Sequence, residues 1–276
     1  MTETATTTAP PLLIEKYEDD RIWVLTMNRP ERMNALGGGM LEAMVEAFEA
    51  YRDDPKARVA ILTGAGEKAF CAGADLKDTS AARKKDGGTS SMSANTRHPI
   101  RKLVPLSEGL DLWKPTIAAI NGFAVAGGFM MAMQCDIRII ADHARIGIAE
   151  TRWNMGGAGW MAPLTRQIGL GNALELSLWG DTQYTAQRAY EIGWAQRVVP
   201  ADQLMPTAME YATRMLDLGP RSVSNVKQML YRGFNMDPVA SSQVGAWLEQ
   251  NLKGMQDSVE GPTAFAEKRR PKFIDA

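Results

Sequence analysis

Apolar runs of strand length alternate with amphipathic stretches through the first half of the chain. Leu12–Tyr17 and Arg21–Met27 read as paired strands about the acidic turn Glu18-Asp19-Asp20, and Arg58–Thr63 as a third strand. Between them Leu41, Met44, Val45, Phe48 and Tyr51 recur at helical spacing, with Glu42, Glu46 and Glu49 on the opposite face, so Met40–Tyr51 is expected to be a helix. Strand, helix, strand implies a parallel crossover. The segment Thr116–Cys135 carries no charge and is long enough to cross a bilayer. Asn121-Gly122 and Gly127-Gly128 interrupt it, which predicts instead a buried strand at Thr116–Ile120, a loop and a buried helix opening at Gly128. Asp136–Ala141 reads as a further short buried strand.

From Pro163 the pattern changes to successive helical stretches near 171–180, 185–192, 201–218, 220–232 and 238–256, with only Gln196–Val199 as a strand. The expected organisation is a disordered Thr/Ala-rich tail over 1–10, an α/β core over 11–200 and a helical C-terminal region over 201–276. Residues 78–99, with Gly87-Gly88 and Ser90-Ser91-Met92-Ser93, read as a mobile loop or flap. No internal repeat is visible.

Composition narrows the function classes. With 31 Lys+Arg against 32 Asp+Glu the net charge is −1, so no overall positive field holds nucleic acid or an anionic membrane, and any recognition of phosphate is local. Cys71 and Cys135 each sit in an apolar stretch, cannot form a disulfide framework and suit a reducing, cytoplasmic compartment. The N-terminus lacks the basic and apolar regions of a signal peptide. The only two histidines, His98 and His143, stand outside any metal-ligand spacing, so no metal site is expected.

Gly64-Ala65-Gly66-Glu67-Lys68-Ala69 follows a strand and matches a dinucleotide-binding spacing, but Phe70-Cys71-Ala72-Gly73-Ala74 offers little to continue the helix that such a motif requires, so a plain turn is expected. No GxSxG occurs, and two histidines leave little room for a Ser/His/Asp triad. Two glycine-bearing elbows remain, Phe70–Lys77 and Asn121–Gly128. Their backbone N–H groups, converging on one point, would make an oxyanion hole. Close helix-to-sheet packing accounts for the same glycines equally well.

Asn28-Arg29-Pro30 with Asn34-Ala35-Leu36, Phe70-Cys71-Ala72-Gly73-Ala74-Asp75-Leu76, Ala118-Ala119-Ile120-Asn121-Gly122 with Ala126-Gly127-Gly128, Cys135-Asp136, and Gly261-Pro262 to Lys268-Arg269 together resemble the enoyl-CoA hydratase/isomerase (crotonase) family, in its order and spacing from about residue 12 to 273. The resemblance implies a crotonase-like α/β spiral of ββα units with a helical C-terminal trimerisation region. It also implies catalysis on a CoA thioester through a stabilised enolate without metal or organic cofactor, CoA being part of the substrate. It places oxyanion donors on the N–H groups of Ala74 and Gly127, with Gly128 opening the helix that faces the thioester oxygen. It places CoA contacts on Arg32, Ala72, Asp75, Leu76 and Lys77, with the terminal Lys268–Phe273 run adding a phosphate contact.

Hydratases of that family carry two catalytic glutamates. The first falls here on Met130, which cannot transfer protons; the second falls on Glu150. Hydration divides naturally between two carboxylates, whereas shifting a double bond from C3 to C2 needs one base, and some members that hydrate and cleave aromatic enoyl-CoAs keep only the second glutamate. The expected activity is hydration with Glu150 alone, the alternatives being a Δ3-Δ2 isomerase or a hydratase-lyase. A hydrolase or dehalogenase, a non-catalytic CoA binder and an RNA-binding homologue using the basic strip near residues 83–102 complete the set. Met130 and Trp153 are expected to line the acyl pocket. Val244, Trp247, Leu248, Leu252 and Met255 form an apolar stripe suited to a homotrimer or homohexamer. Neither nucleic acid nor membrane is an expected partner.

Overall fold

The computed structural model describes residues 9–75, 80, 84, 106–155 and 157–275. Strands β1 (Leu12–Tyr17) and β2 (Ile22–Met27) form the expected antiparallel hairpin, Leu12 opposite Met27 and Tyr17 opposite Ile22. Glu18, Asp19 and Asp20 turn the chain with φ of 53°, 55° and 68°. Helix α1 (Met40–Asp53) buries Met40, Leu41, Met44, Val45, Phe48 and Tyr51, the predicted face, and delivers the chain to β3 (Val59–Gly64), parallel to β2. Thr116–Ile120 (β5), Ile137–Ala141 (β7) and Arg197–Val199 (β10) extend this sheet in parallel, in the order β1-β2-β3-β5-β7-β10.

A second sheet is built from much shorter strands: β4 (Ala69–Cys71), β6 (Phe123–Val125), β8 (Arg145–Gly147) and β9 (Tyr184–Thr185), in that order. Each of β3, β5 and β7 is followed by one of these strands, so the chain winds in ββα turns between two sheets. The strands β4, β6 and β8 run parallel, and whatever follows them emerges at one end of the small sheet.

The uncharged segment becomes β5, β6 and helix α2 (Gly127–Gln134), with every residue from Gly128 to Gln134 buried. Among the described residues no helix is long and apolar enough to cross a membrane. Helix α3 (Ala158–Leu178) begins well before the expected residue 171 and breaks at Gly169, whose φ of 72° and ψ of 160° lie outside the helical region. Helix α4 (Ala186–Glu191) follows, capped by the Thr185 hydroxyl. Helix α5 (Leu204–Met215) crosses β3, β5 and β7 and buries Leu204, Ala208 and Ala212 in the main core.

Helices α6 (Pro220–Arg232), α7 (Pro238–Leu248) and α8 (Asp257–Ala266) complete the chain. The expected helix 238–256 therefore ends early: a 3-10 turn at Glu249–Leu252 divides it, Leu248 is buried, Trp247 is exposed, and Val244, Leu252 and Met255 are half-buried. The apolar positions do not form one continuous stripe, because the turn changes the angular spacing between Leu248 and Leu252. Helix α8 had no counterpart in the pattern, with Pro262 inside it and Gly261 beside that proline.

Candidate active site

Three loops leave the ends of β4, β6 and β8 side by side. After β4, Ala72 donates its N–H to the Met33 carbonyl (2.9 Å), and Gly73 accepts from the Leu36 N–H (2.7 Å), so the first elbow is fastened to the Asn34-Ala35-Leu36 segment. After β6, Ala126 donates to the Gly147 carbonyl (2.9 Å) with φ 52° and ψ −126°. For an alanine this is a strained conformation, held by its neighbours. Helix α2 starts at the next residue.

The two elbows touch. A Cβ added to Gly73 would lie 2.8 Å from the Gly127 nitrogen, and one added to Gly127 would lie 3.7 Å from the Ala74 nitrogen and 2.9 Å from Leu36 Cδ1. Gly128 is fixed by packing, since a Cβ there would collide with the Cys71 carbonyl oxygen. The first helical bond of α2 runs from the Met130 N–H to the Ala126 carbonyl (3.0 Å), which leaves the Gly127, Gly128 and Phe129 N–H groups at the positive end of the helix. Neither the Ala74 nor the Gly127 N–H has an acceptor among the described residues. The packing reading holds at Gly128, which lets the helix approach β4, while the Ala74 and Gly127 N–H groups are without an acceptor among the described residues.

Beyond β8, three residues after the Gly147 that accepts from Ala126, stands Glu150. It is 8% exposed, and its Oε2 has no hydrogen-bond partner among the described residues. Burial pushes its carboxyl above the ordinary glutamate range, against the smaller opposing effect of backbone N–H groups at Ala149 and Glu150. Gly157 packs on it, since a Cβ there would come within 3.1 Å of Glu150 Cγ and 3.4 Å of Met161 Cε. Sequence reading missed Gly157 and Met161; the run Gly156-Gly157-Ala158-Gly159 was the only signal that small residues were required there.

Met130 is 6% exposed within α2 and belongs to the core cluster. Trp153 lies 57% exposed on a 3-10 turn, with the Arg152 guanidinium 5.2 Å from its ring centre. Arg32 is exposed at the end of another such turn. Ala72 is half-buried in the first elbow. The Asp75 carboxylate is buried and pairs with Arg29 at 3.4 Å, so its side chain braces the elbow. Leu76, Lys77, His98 and nearly all of the 78–99 segment lie outside the described residues.

Two asparagines explain other parts of the motif set. Buried Asn34 accepts from the Arg29 N–H and donates to the carbonyls of Ala65 (3.0 Å) and Ala69 (2.8 Å). Asn121 donates to the Gly64 and Gly66 carbonyls (2.8 and 2.6 Å). Gly64–Lys68 is accordingly a pinned turn leading into β4, and no helix follows it as a dinucleotide loop would need. Among the described residues no cluster of His, Cys, Asp or Glu is arranged to hold a metal ion.

A ββα spiral whose two glycine elbows meet at one end of the small sheet, with a buried carboxylate just beyond the adjoining strand, is an arrangement suited to enzymes acting on acyl thioesters. The chain belongs to the enoyl-CoA hydratase/isomerase family, whose model matches residues 18–276. It is 35% identical over 253 residues to an (E)-benzylidenesuccinyl-CoA hydratase of Thauera aromatica, covering 91% of this chain and 95% of that one. It is also 35% identical over 267 residues to a crotonyl-CoA hydratase of Syntrophomonas wolfei, covering 95% and 97%. The enoyl-CoA hydratase structure from Bacillus anthracis superposes with a TM-score of 0.84 at 32% identity, over 97% of this chain and all (100%) of that chain. Hydratase/isomerase-type catalysis on acyl-CoA thioesters follows for this chain.

Proposed function

We propose that the protein hydrates a 2-enoyl-CoA, with Glu150 as its sole proton carrier and the Ala74 and Gly127 N–H groups as its oxyanion hole. The observation that carries this is the buried Glu150 Oε2, without a partner among the described residues, at the same sheet end as two backbone donors that are likewise unpaired among them. Ionised Glu150 takes a proton from water as the oxygen attacks C3; negative charge passes to the thioester oxygen, where the two N–H groups receive it, and the protonated carboxyl returns a proton to C2. One well-aimed donor at such a site is worth about a hundred- to a thousand-fold in rate. Hydration is also the activity named for the Thauera and Syntrophomonas relatives.

Met130 favours a second reading, Δ3-Δ2 isomerisation, because a buried thioether stands where a second carboxylate would divide the proton transfers. Wild type and Met130→Glu assayed on crotonyl-CoA and on a 3-enoyl-CoA separate the two. Hydration of crotonyl-CoA by wild type, raised in the variant, supports the first reading; turnover of the 3-enoyl thioester alone overturns it.

In this proposal CoA lies along Arg32 and the backbone of Ala72–Leu76 with Lys77, and calorimetry is expected to detect CoA binding that weakens with salt. Met130 forms one wall of the acyl pocket and Trp153 its rim. The protein works in the cytoplasm as a homotrimer or homohexamer, supported by the exposed Val226, Leu230, Phe234 and Trp247 on the C-terminal helices and turns. A monomeric mass by light scattering at micromolar concentration overturns the assembly.

A further inference from the structure

A cavity of about 350 Å³ lies between the C-terminal end of α1 and the N-terminal end of α6. Four cationic side chains line it, Arg52, Arg58, Lys114 and Arg221, against the carboxylates of Asp53 and Asp275. The arginines are engaged: Arg52 with Asp53 (2.7 Å), Arg58 with the Pro55 carbonyl (3.0 Å), and Arg221 with Asp275 of the C-terminal tail (3.2 Å). Lys114 differs. Its amine donates to the carbonyls of Tyr51 (3.1 Å) and Asp54 (2.5 Å), it lies 5.6 Å from the Tyr51 ring centre, and it has no carboxylate within ion-pair distance among the described residues. Lys227, by contrast, is ion-paired with Asp136 at 2.8 Å, and Lys16 with Asp54 at 3.3 Å.

A neutral amine has two N–H bonds and one lone pair. Two carbonyls already take two N–H groups of Lys114, so on loss of its third proton the lone pair is left over to act as a nucleophile. The geometry points to Lys114 as an acyl-acceptor site, modified by an acyl-CoA thioester that enters this basic cavity. The nitrogen adds to the thioester carbonyl; the C–N bond forms as the C–S bond breaks, and the thiol of CoA leaves with the proton lost from nitrogen. The products are an Nε-acyl-lysine and free CoA, with no oxidant or further reactant. Only the identity of the acyl donor rests on the proposed function.

The electrostatics agree with the geometry. Burial, and then the Arg58 charge, pull the Lys114 amine down to about 8, against the opposing charges of Asp54, Asp275 and Asp53. The neutral form is therefore half populated near pH 8, where an ordinary lysine is neutral in about 0.4% of molecules.

The test is lysine-resolved mass spectrometry of the wild-type protein incubated with acetyl-CoA between pH 6 and 10, and in parallel with the acetyl thioester of N-acetylcysteamine, which carries no phosphate. Lys114 is expected to be acetylated about tenfold or more faster than the exposed Lys56 and Lys253 at pH 8, with a half-maximal rate near that pH. Acetylation of Lys114 no faster than of those two, with either thioester, overturns the proposal. Crotonyl-CoA hydration measured on the same preparation shows separately whether the reading of the active site stands. Lys114→Arg, followed by its melting curve, is expected to remove the modified peptide while leaving hydration unchanged.

Discussion

Helix α2 joins two polar sites of opposite character. At its N-terminal end the Ala74 and Gly127 N–H groups and Glu150 Oε2 have no partner among the described residues, and Ala126 is held in a strained conformation. Just past its C-terminal end, Asp136 accepts from the Thr116 N–H (2.8 Å) and hydroxyl (3.0 Å) and from the Tyr231 hydroxyl (2.9 Å), and it pairs with Lys227 at 2.8 Å. Both regions are largely buried, so burial does not distinguish them. Satisfaction does: the Asp136 cluster ties α6 to the starts of β5 and β7 and is complete without a ligand, whereas the elbow keeps hydrogen-bonding capacity that is unmet among the described residues and that, in the proposed function, a substrate fills. Activity and stability should accordingly respond to different residues.

The largest effect expected is on turnover. Glu150→Gln keeps the shape and the proposed oxyanion donors but removes the proposed proton carrier, so kcat on the preferred enoyl-CoA should fall by about two to four powers of ten with CoA binding nearly unchanged. Unchanged turnover on every thioester the wild type processes removes Glu150 from the mechanism. Asp136→Ala is the counterpart at the other end. It leaves Lys227 buried and uncompensated and should cost about 3–5 kcal/mol of stability, read from denaturant midpoints. A stability change under 1 kcal/mol, or a kcat loss in folded protein as large as that of Glu150→Gln, erases the distinction between the two regions.

Gly127→Ala sharpens it. In an ordinary helix alanine is more favourable than glycine by about 1 kcal/mol. Here the added methyl meets Leu36 Cδ1 at 2.9 Å and Gly73 Cα at 3.3 Å, the backbone that carries the other proposed oxyanion donor. Displacing either donor should lower kcat about a hundredfold while the melting temperature changes little. Adding Leu36→Ala should restore part of the rate. No loss in the single variant places the oxyanion hole elsewhere.

What the sequence made legible follows the same physical division. The strands β2, β3, β5 and β7 of the long sheet and α1 are visible because each buries one face or both over five or more residues, which leaves a recognisable run or period in the pattern. The small sheet is nearly silent: β4, β6 and β8 have three residues each and β9 has two, too few to establish alternation. Yet that sheet aligns the elbows with Glu150. The elbows are legible as glycine-bearing turns after strands, but Glu150 and the particular donors Ala74 and Gly127 come only from motif resemblance, because a buried carboxylate or a backbone N–H has no signature in hydrophobic pattern. Helix α3 opens on Ala158-Gly159, and the glycine just before it, Gly157, is favoured by packing on Glu150, which no helix propensity would report. Asp136 was recognised only as part of a motif, since its partners Lys227 and Tyr231 lie some ninety residues away, 95 in the case of Tyr231.

The smallest effect tests the cost of keeping Glu150 unsatisfied. Its folded-state affinity for a proton is raised above the ordinary glutamate value of 4.5 by burial. Below that value the carboxyl is protonated in both folded and unfolded chains and carries no charge penalty. As pH rises the unfolded chain ionises first, so stability declines until the folded-state value is passed and then levels off. Glu150→Gln removes this term. The variant should therefore melt above wild type at pH 7 to 8, and the gap should close as pH falls towards 4. About 1 kcal/mol moves the melting temperature of a domain this size by about 2–4 °C, so a shift of a few degrees is the scale to look for by calorimetry. A gap that stays constant from pH 8 to 4 means that the Glu150 carboxylate is as well solvated in the folded protein as in the unfolded chain, and the contrast with the self-contained Asp136 cluster would then fail at the residue on which it chiefly rests.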